Sequence, residues 1–222
     1  MSQQRNKLGI LDIIGKRRSI RKFKPDPIPE DILLQILQAG QMAPSACNMQ
    51  NWKFIVIDDA SIKQTIKEMG GAVFIKNAPV GILVLYDNRT QNIEYLDYIQ
   101  SAAAAIQNML LTASELGIGA CWVCHLPPKR QLRKLLDIPW HFDPIAYIPM
   151  GYPDGVMPTR ARKCDIKNII SYNKFSSAEP VAHRSARLII RIIIIKLYYL
   201  LPLSIKKKIL PFVDKTFVTK FE

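Results

Sequence analysis

The spacing of apolar residues changes along the chain and predicts five helices and four strands. After Pro29, apolar residues recur with the spacing of one helical stripe, at Ile32, Leu33, Ile36 and Leu37. Residues 80–86 instead form an unbroken apolar run after a proline, which favours a buried strand. The same reasoning predicts further helices over 8–16, 61–69, 93–116 and 128–136, and further strands over 52–57, 118–123 and 145–150.

The order of these elements favours an α+β domain, because helices and strands alternate without a steady β-α-β rhythm. No Gly-x-Gly-x-x-Gly motif follows a strand, so a Rossmann dinucleotide fold is disfavoured. In the first helix, Leu8, Leu11 and Ile14 are expected to face inward, with Ile13 as a further candidate. In the helix over 93–116, four consecutive alanines combine high helix propensity with little bulk, which allows close packing.

Composition and charge divide the chain into two parts. The 222 residues are 49% apolar and 22% charged, as in a globular protein. The net charge is +13, and residues 181–222 alone carry nine Lys or Arg against two acids. We therefore predict a domain over 1–175 and a basic, apolar, amphipathic helical extension over 176–222. An anionic partner suits such a tail. Because Ile and Leu separate its basic residues, a membrane surface is favoured over nucleic acid, which we do not expect as a ligand.

Two polar segments carry the chemistry. Arg17, Arg18, Ser19 and Arg21 place three guanidinium groups and a hydroxyl together. Guanidinium groups suit a phosphate, because they offer parallel donors to its oxygens. About one helix later, a loop presents small and amide residues, at Pro44, Ser45, Ala46, Asn48 and Gln50, and then runs into a strand. Amides both donate and accept, so they suit a polar heteroaromatic ring. One ligand with a phosphate and such a ring would explain both segments.

The R-R-S-x-R and A-P-S-x-x-N-x-Q-x-W motifs, in this order and spacing, resemble the nitroreductase-like family of FMN-dependent oxidoreductases. The resemblance extends from about residue 11 to 172. It implies a mainly antiparallel central sheet flanked by helices and an intertwined homodimer with two shared flavin sites. It further implies that FMN is the cofactor, that NADH or NADPH donates hydride, and that a small electron-poor acceptor (a nitro compound, quinone or similar) takes two electrons.

The resemblance also assigns residues to the flavin site. The first motif grips the flavin phosphate, and the loop lies against the flavin, usually from the partner subunit. Cys121 and Trp122 lie on a strand that runs near the flavin ring in the family. Arg160 and Arg162 match a C-terminal basic motif that returns to the phosphate. Asn51 replaces a proline that is frequent in the family, and a Glu-Gly pair found after this strand in some members is missing. No catalytic acid or base is identified.

Competing sites are weaker. Cys121 to His125 reads Cys-x-x-Cys-His, as in haem attachment or thiol redox sites. On a regular strand, however, residues three apart point to opposite faces, and no secretory signal is visible. No paired Cys/His spacing indicates zinc, so no metal is expected, and no Gly-x-Ser-x-Gly elbow supports a serine hydrolase, although residue order alone leaves a Ser-His-Asp site open.

The sequence leaves alternatives open for function and location. A specialised flavin-cleaving or dehalogenating enzyme fits the same motifs, and so does a non-catalytic membrane-surface scaffold on the same fold. Four cysteines without framework spacing favour reduced thiols and a cytoplasmic protein. Residues 181–222 could add peripheral binding at the inner face of the membrane. They could equally pack on their own domain or around the partner subunit.

Overall fold

The computed structural model describes residues 9–89, 92, 94–155, 161 and 163–176, and the single positions 190, 193, 197, 201 and 205. The chain divides into two compact units, Met1–Met157 and Pro158–Glu222. In the second unit, a short 3₁₀ turn at Ile166–Ile169 and residues 170–176 are exposed. The domain boundary that we place at 175/176 stays a prediction. No helix among the described residues is long and apolar enough to span a membrane.

The first unit is an α+β domain, which confirms the predicted fold class. The helices are α1 (Ile10–Lys16), α2 (Glu30–Gln41), α3 (Ala60–Glu68), α4 (Asp97–Glu115) and α5 (Lys129–Leu136). The strands are β1 (Trp52–Ile57), β2 (Val80–Asp87), β3 (Gly119–Ala120) and β4 (Phe142–Gly151). A 3₁₀ turn at Val73–Asn77 leads into β2.

The four strands form one antiparallel sheet in the order β1-β2-β4-β3. All eight residues of β2 are buried, because the sheet is covered on both faces. Ile82 and Val84 pack with residues of α2 and α4, whereas Leu83 and Leu85 pack with residues of α3 and α5. The apolar run that predicted this strand is therefore unbroken because the side chains on both faces of β2 pack in apolar clusters.

Two elements differ from the prediction. Leu11 and Ile14 of α1 are 79% and 39% exposed, so the prediction that both face inward is wrong, while Leu8 lies outside the described residues. A helix of seven residues on the surface turns only Ile13 into the core.

The strand predicted over 118–123 is regular only at β3. Beyond it, the N–H of Cys121 still donates to the carbonyl of Pro149 (3.3 Å), but Pro149 has no N–H with which to complete the ladder.

A buried carboxylate fixes one end of the sheet. Asp143, at the start of β4, is 6% exposed and forms ion pairs with Lys129 and Arg133 of α5. The side-chain amide of Asn88 donates to the same carboxylate over 3.0 Å, and the hydroxyl of Tyr98 donates over 3.4 Å. Asp143 thus connects α5, the segment after β2 and the first turn of α4.

Candidate functional site

The predicted phosphate-binding segment lies along the free edge of β3. Ser19 bridges Ala120 in parallel, and the N–H of Ile20 donates to the carbonyl of Ala120 over 3.0 Å. Gly119 permits this close approach, since a Cβ there would lie 2.9 Å from Cγ2 of Ile20. Backbone contacts therefore hold the segment to the sheet, while the guanidinium of Arg18 donates to the carbonyls of Gly15 (2.5 Å) and Arg17 (2.8 Å). We call this region, Arg17–Arg21 with Gly119–Cys121, the basic corner.

The basic corner has excess positive charge. No carboxylate of the described residues lies within ion-pair distance of Arg17 or Arg21. The guanidinium of Arg21 is exposed and stands 5.8 Å from the centre of the Phe74 ring. Burial raises the pKa of the Cys121 thiol, and the opposing effects of Arg21, a hydrogen bond with Ser19 and the charge of Arg17 reduce this shift. The structure therefore brings Cys121 and the predicted phosphate ligands together.

The loop over residues 44–50 lies at the other end of the domain and is held by polar contacts. The N–H of Ala46 donates to the Ser101 hydroxyl of α4, and the N–H of Gln50 donates to the Ser45 hydroxyl, each over 3.0 Å. The side-chain amide of Gln50 donates to the amide oxygen of Asn48 over 2.7 Å. Both amides are exposed, as a ligand contact requires.

This loop stores backbone strain. Cys47, Asn48 and Gln50 have φ angles of 48°, 54° and 50°, in the left-handed region. Asn tolerates this region, but Cys and Gln adopt it rarely, at a cost of about 1–3 kcal/mol each. Residues held in such conformations are concentrated at binding sites. A cavity adjoins the loop; Met49, Tyr86 and Tyr98 supply apolar and aromatic walls, and the ion pair of Asp87 and Arg89 supplies a charged one.

Trp122 presents an unsatisfied donor. Its ring is half-buried against the cluster that α4 forms with the sheet. The indole N–H is buried and has no acceptor among the described residues. A buried N–H without a partner costs about 1–3 kcal/mol, so an acceptor brought by a ligand would remove that cost. Cys121 packs in the cluster on the opposite face of the sheet.

The two parts of the predicted site occupy diagonally opposite corners of the sheet. The loop leads into Trp52 of β1, which pairs with Tyr86 near the end of β2. The basic corner borders β3, whose Ala120 pairs with Met150 opposite the start of β2. With 3.3 Å per residue along a strand and 4.8 Å between strands, the corners are on the order of 25 Å apart. They do not meet within one chain.

Comparison with known proteins identifies the family. The family model described as the Nitroreductase family matches residues 14–74 and 64–152, more than half of the chain. The chain belongs to the nitroreductase family. The resemblance drawn from the two motifs is therefore confirmed, and the nitroreductase fold explains the antiparallel sheet with flanking helices. Proteins of this fold are generally homodimeric and act on small molecules.

Individual relatives carry related names. One relative is a protein of Methanothermobacter thermautotrophicus named provisionally as an NADH dehydrogenase/NAD(P)H nitroreductase. The two chains are 37% identical over 153 residues, and this alignment covers 67% of this chain and 79% of that protein. An FMN-dependent nitroreductase from Clostridium difficile superposes with a TM-score of 0.66 at 28% identity, over 74% of this chain and 99% of that one. An iodotyrosine deiodinase bound to FMN and 3-iodo-L-tyrosine superposes with a TM-score of 0.65 at 25% identity, over 75% of this chain and 100% of that one.

Two of the residues predicted for this nitroreductase-family site lie outside the described residues, namely Arg160 and Arg162. Their return to the phosphate stays a prediction.

Of the competing sites, Cys121 is buried and Cys124 is exposed, and both are free thiols. Within the part of the chain that the structure describes, no group of His, Cys, Asp or Glu is arranged to hold a metal ion.

Sequence reasoning missed two residues that shape the nitroreductase-family site. Gly119 lets the basic segment approach the sheet, and Ser101 holds the backbone of the 44–50 loop. Gly119 carries a sequence signal, because a glycine inside a strand pattern often marks a close backbone approach. Ser101 precedes the alanine run of α4, and its position alone does not reveal a partner 55 residues away.

Proposed function

We propose that the protein is an FMN-dependent oxidoreductase that takes hydride from NADH or NADPH and reduces a small electron-poor acceptor by two electrons. The observation that carries the proposal is the basic corner beside the edge of β3, where no carboxylate of the described residues pairs with Arg17 or Arg21. Unpaired guanidinium groups fit a phosphate monoester. The names of the relatives, which include NAD(P)H and FMN, support the same reaction class.

The described residues fit FMN in two further respects. The buried indole N–H of Trp122 lacks an acceptor, and a flavin ring or ribityl chain offers several. The exposed amides of Asn48 and Gln50 both donate and accept, as the edge of a flavin ring requires. In this assignment Arg17, Arg18, Ser19 and Arg21 hold the phosphate, Cys121 and Trp122 line the neighbouring strand, and the loop with Pro44, Ser45, Ala46, Asn48 and Gln50 contacts the ring.

Bound FMN would supply the redox chemistry, and the chain supplies binding and orientation. The basic corner neutralises and positions the phosphate. The strained loop presents its amides from a fixed backbone, because Ser101 and Ser45 hold it in place. The cavity beside the loop, where Met49, Tyr86 and Tyr98 meet the Asp87–Arg89 ion pair, is suited to a small aromatic acceptor with polar substituents. We assign no side chain as a proton donor or acceptor.

We further propose that each flavin site forms between two copies of the chain. The basic corner and the loop are too far apart to contact one FMN within a single subunit. Several large apolar side chains near them are also exposed, and their burial by a second copy would be favourable. They are Ile10 at 61%, Leu11 at 79%, Met42 at 79% and Met49 at 53%.

The test is flavin binding with and without the phosphate. Purified protein should show flavin absorption, release FMN on acid treatment and bind FMN more tightly than riboflavin. Arg21→Ala should weaken FMN binding by about tenfold or more, because a charged hydrogen bond contributes about 1.5–3 kcal/mol. Binding of riboflavin should be nearly unchanged. Arg130→Ala, which removes an exposed arginine of α5, is the matched control and should affect neither.

A colourless protein that takes up no added FMN would refute the proposal and favour a non-catalytic scaffold. If FMN binds, turnover with NADH and NADPH against nitroaromatics, quinones and halogenated aromatics identifies the acceptor. Activity on the halogenated compounds alone would favour a dehalogenating enzyme, the alternative supported by the similarity to iodotyrosine deiodinase.

A further inference from the structure

A buried lysine supports the back of the basic corner. Lys63, on α3, is only 4% exposed. Its ammonium donates to the carbonyl of Ala78 over 2.9 Å and to the carbonyl of Pro79 over 2.8 Å. Lysine is rarely buried to this degree without a carboxylate partner. Here the two carbonyls at the end of the Val73–Asn77 turn take the place of that partner.

The turn that Lys63 holds is in contact with the phosphate-binding segment. Ala78, which is 1% exposed, packs in one cluster with Ile20 and Phe23. Phe74, in the same turn, packs against this cluster and lies beneath the guanidinium of Arg21. Phe74 and Ala78 therefore pack against two residues of the basic segment, Ile20 and Arg21, and against Phe23. The carbonyls of Ala78 and Pro79, the two residues after the turn, are fixed by a side chain that belongs to α3.

These contacts form a continuous chain of packed groups. The ammonium of Lys63 fixes Ala78 and Pro79, Ala78 supports Ile20, and Phe74 supports Arg21. Burial lowers the pKa of the Lys63 ammonium, while the charges of Asp58 and Asp59 act in the opposite direction. Charge-assisted donors form shorter and stronger hydrogen bonds than neutral ones, which suits a rigid connection.

We propose that Lys63 is a positioning residue for the phosphate of the flavin: it holds the Val73–Asn77 turn against the basic segment and thereby sets the place of Arg21. The proposal rests on the proposed function, because it assumes that the basic corner binds FMN. It assigns a functional role to a residue that does not touch the ligand. A lysine with a purely structural role would contribute to stability without affecting the preference for a phosphorylated flavin.

The test is the ratio of riboflavin to FMN dissociation constants, measured by flavin fluorescence well below the melting temperature. Lys63→Met keeps an apolar stem of similar length and removes the ammonium. We expect it to weaken FMN binding by about tenfold, because a displaced Arg21 would lose about one charged hydrogen bond to the phosphate, with riboflavin binding changed less than about twofold. Lys67→Met, on the same helix, is the matched control and should leave the ratio at the wild-type value.

A second variant covers the case in which Lys63→Met does not fold. Phe74→Leu removes the ring beneath Arg21 at a half-buried position and leaves Lys63 intact. It should lower the same ratio. A wild-type protein that binds no FMN would overturn the proposed function and this inference together. A wild type that binds FMN, with an unchanged ratio in Lys63→Met or, where that variant is unfolded, in Phe74→Leu, would overturn this inference alone.

Discussion

Replacement of Asp143 by asparagine tests the polar connection at one end of the sheet. Asp143 accepts from Lys129, Arg133, Asn88 and Tyr98. Removing one partner of a buried ion pair generally costs about 3–5 kcal/mol. Here the side chains of Lys129 and Arg133 are 48% and 23% exposed, so both cations recover water when the carboxylate is lost. We therefore expect Asp143→Asn to lower the free energy of unfolding by about 2–3 kcal/mol at pH 7.

The pH dependence of this loss has a definite sign. Burial acts to raise the pKa of Asp143, but hydrogen bonds from Lys129 and Asn88 and the charges of Lys129 and Arg133 lower it overall. The folded-state pKa lies below the unfolded value of about 3.9. The stabilisation is therefore present above that pH and is lost as pH falls through the folded-state pKa. The difference between wild type and Asp143→Asn should shrink in acid.

Urea unfolding of both proteins at several pH values between 7 and 3 measures this difference. At pH 7 the melting temperature should also fall by about 5–10 °C, as expected for a protein of this size. Asp26→Asn is the control, because Asp26 is exposed and forms no ion pair with the described residues, and it should change stability by less than about 0.5 kcal/mol. A variant as stable as wild type at pH 7, or a difference that persists unchanged in acid, would refute the reasoning.

Two further predictions concern the basic corner and the C-terminal tail. Gly119→Ala places a Cβ 2.9 Å from Ile20, so it should cost about 1–3 kcal/mol and weaken FMN binding, measured by thermal melting and fluorescence titration. Normal FMN affinity in this variant would show that the approach of the segment to β3 is unimportant. We predict that the 1–222 chain sediments with anionic liposomes through residues 181–222 and that a 1–180 truncation does not. Equal recovery of the two in the pellet would remove the membrane role of the tail.

The sequence predicts the fold well where burial is uniform along an element. Residues 80–86 form an unbroken apolar run because β2 is covered on both faces, so the prediction needs no knowledge of neighbours. The prediction for α1 failed for the opposite reason. Four of the seven residues of α1 are large and apolar, and only the fold, in which α1 lies against α4, selects Ile13 for burial. Periodicity cannot make that choice in seven residues.

The sequence predicts residue types for the candidate site, and their roles stay a prediction, whereas their arrangement needs the fold. Arginines suit a phosphate and amides suit a polar heteroaromatic ring, so the two motifs together indicate a ligand that carries both groups. Their placement at opposite corners depends on strand order, which no local pattern specifies. Lys63 was missed for a related reason. A lysine on an amphipathic helix predicts a solvated side chain, and only the tertiary fold brings the carbonyls of Ala78 and Pro79 to it.

The separation of the two corners has a consequence for the energetics of the proposed enzyme. If one flavin contacts Arg21 of one chain and the 44–50 loop of another, flavin binding and association of the chains are thermodynamically linked. Each then strengthens the other by the same factor. A single chain would offer either the phosphate contacts or the ring contacts, so its flavin affinity would be much lower. The apparent affinity for FMN should consequently rise with protein concentration until association is complete. The exposed apolar residues of α1 would be buried in the same process, so that flavin occupancy and stability increase together.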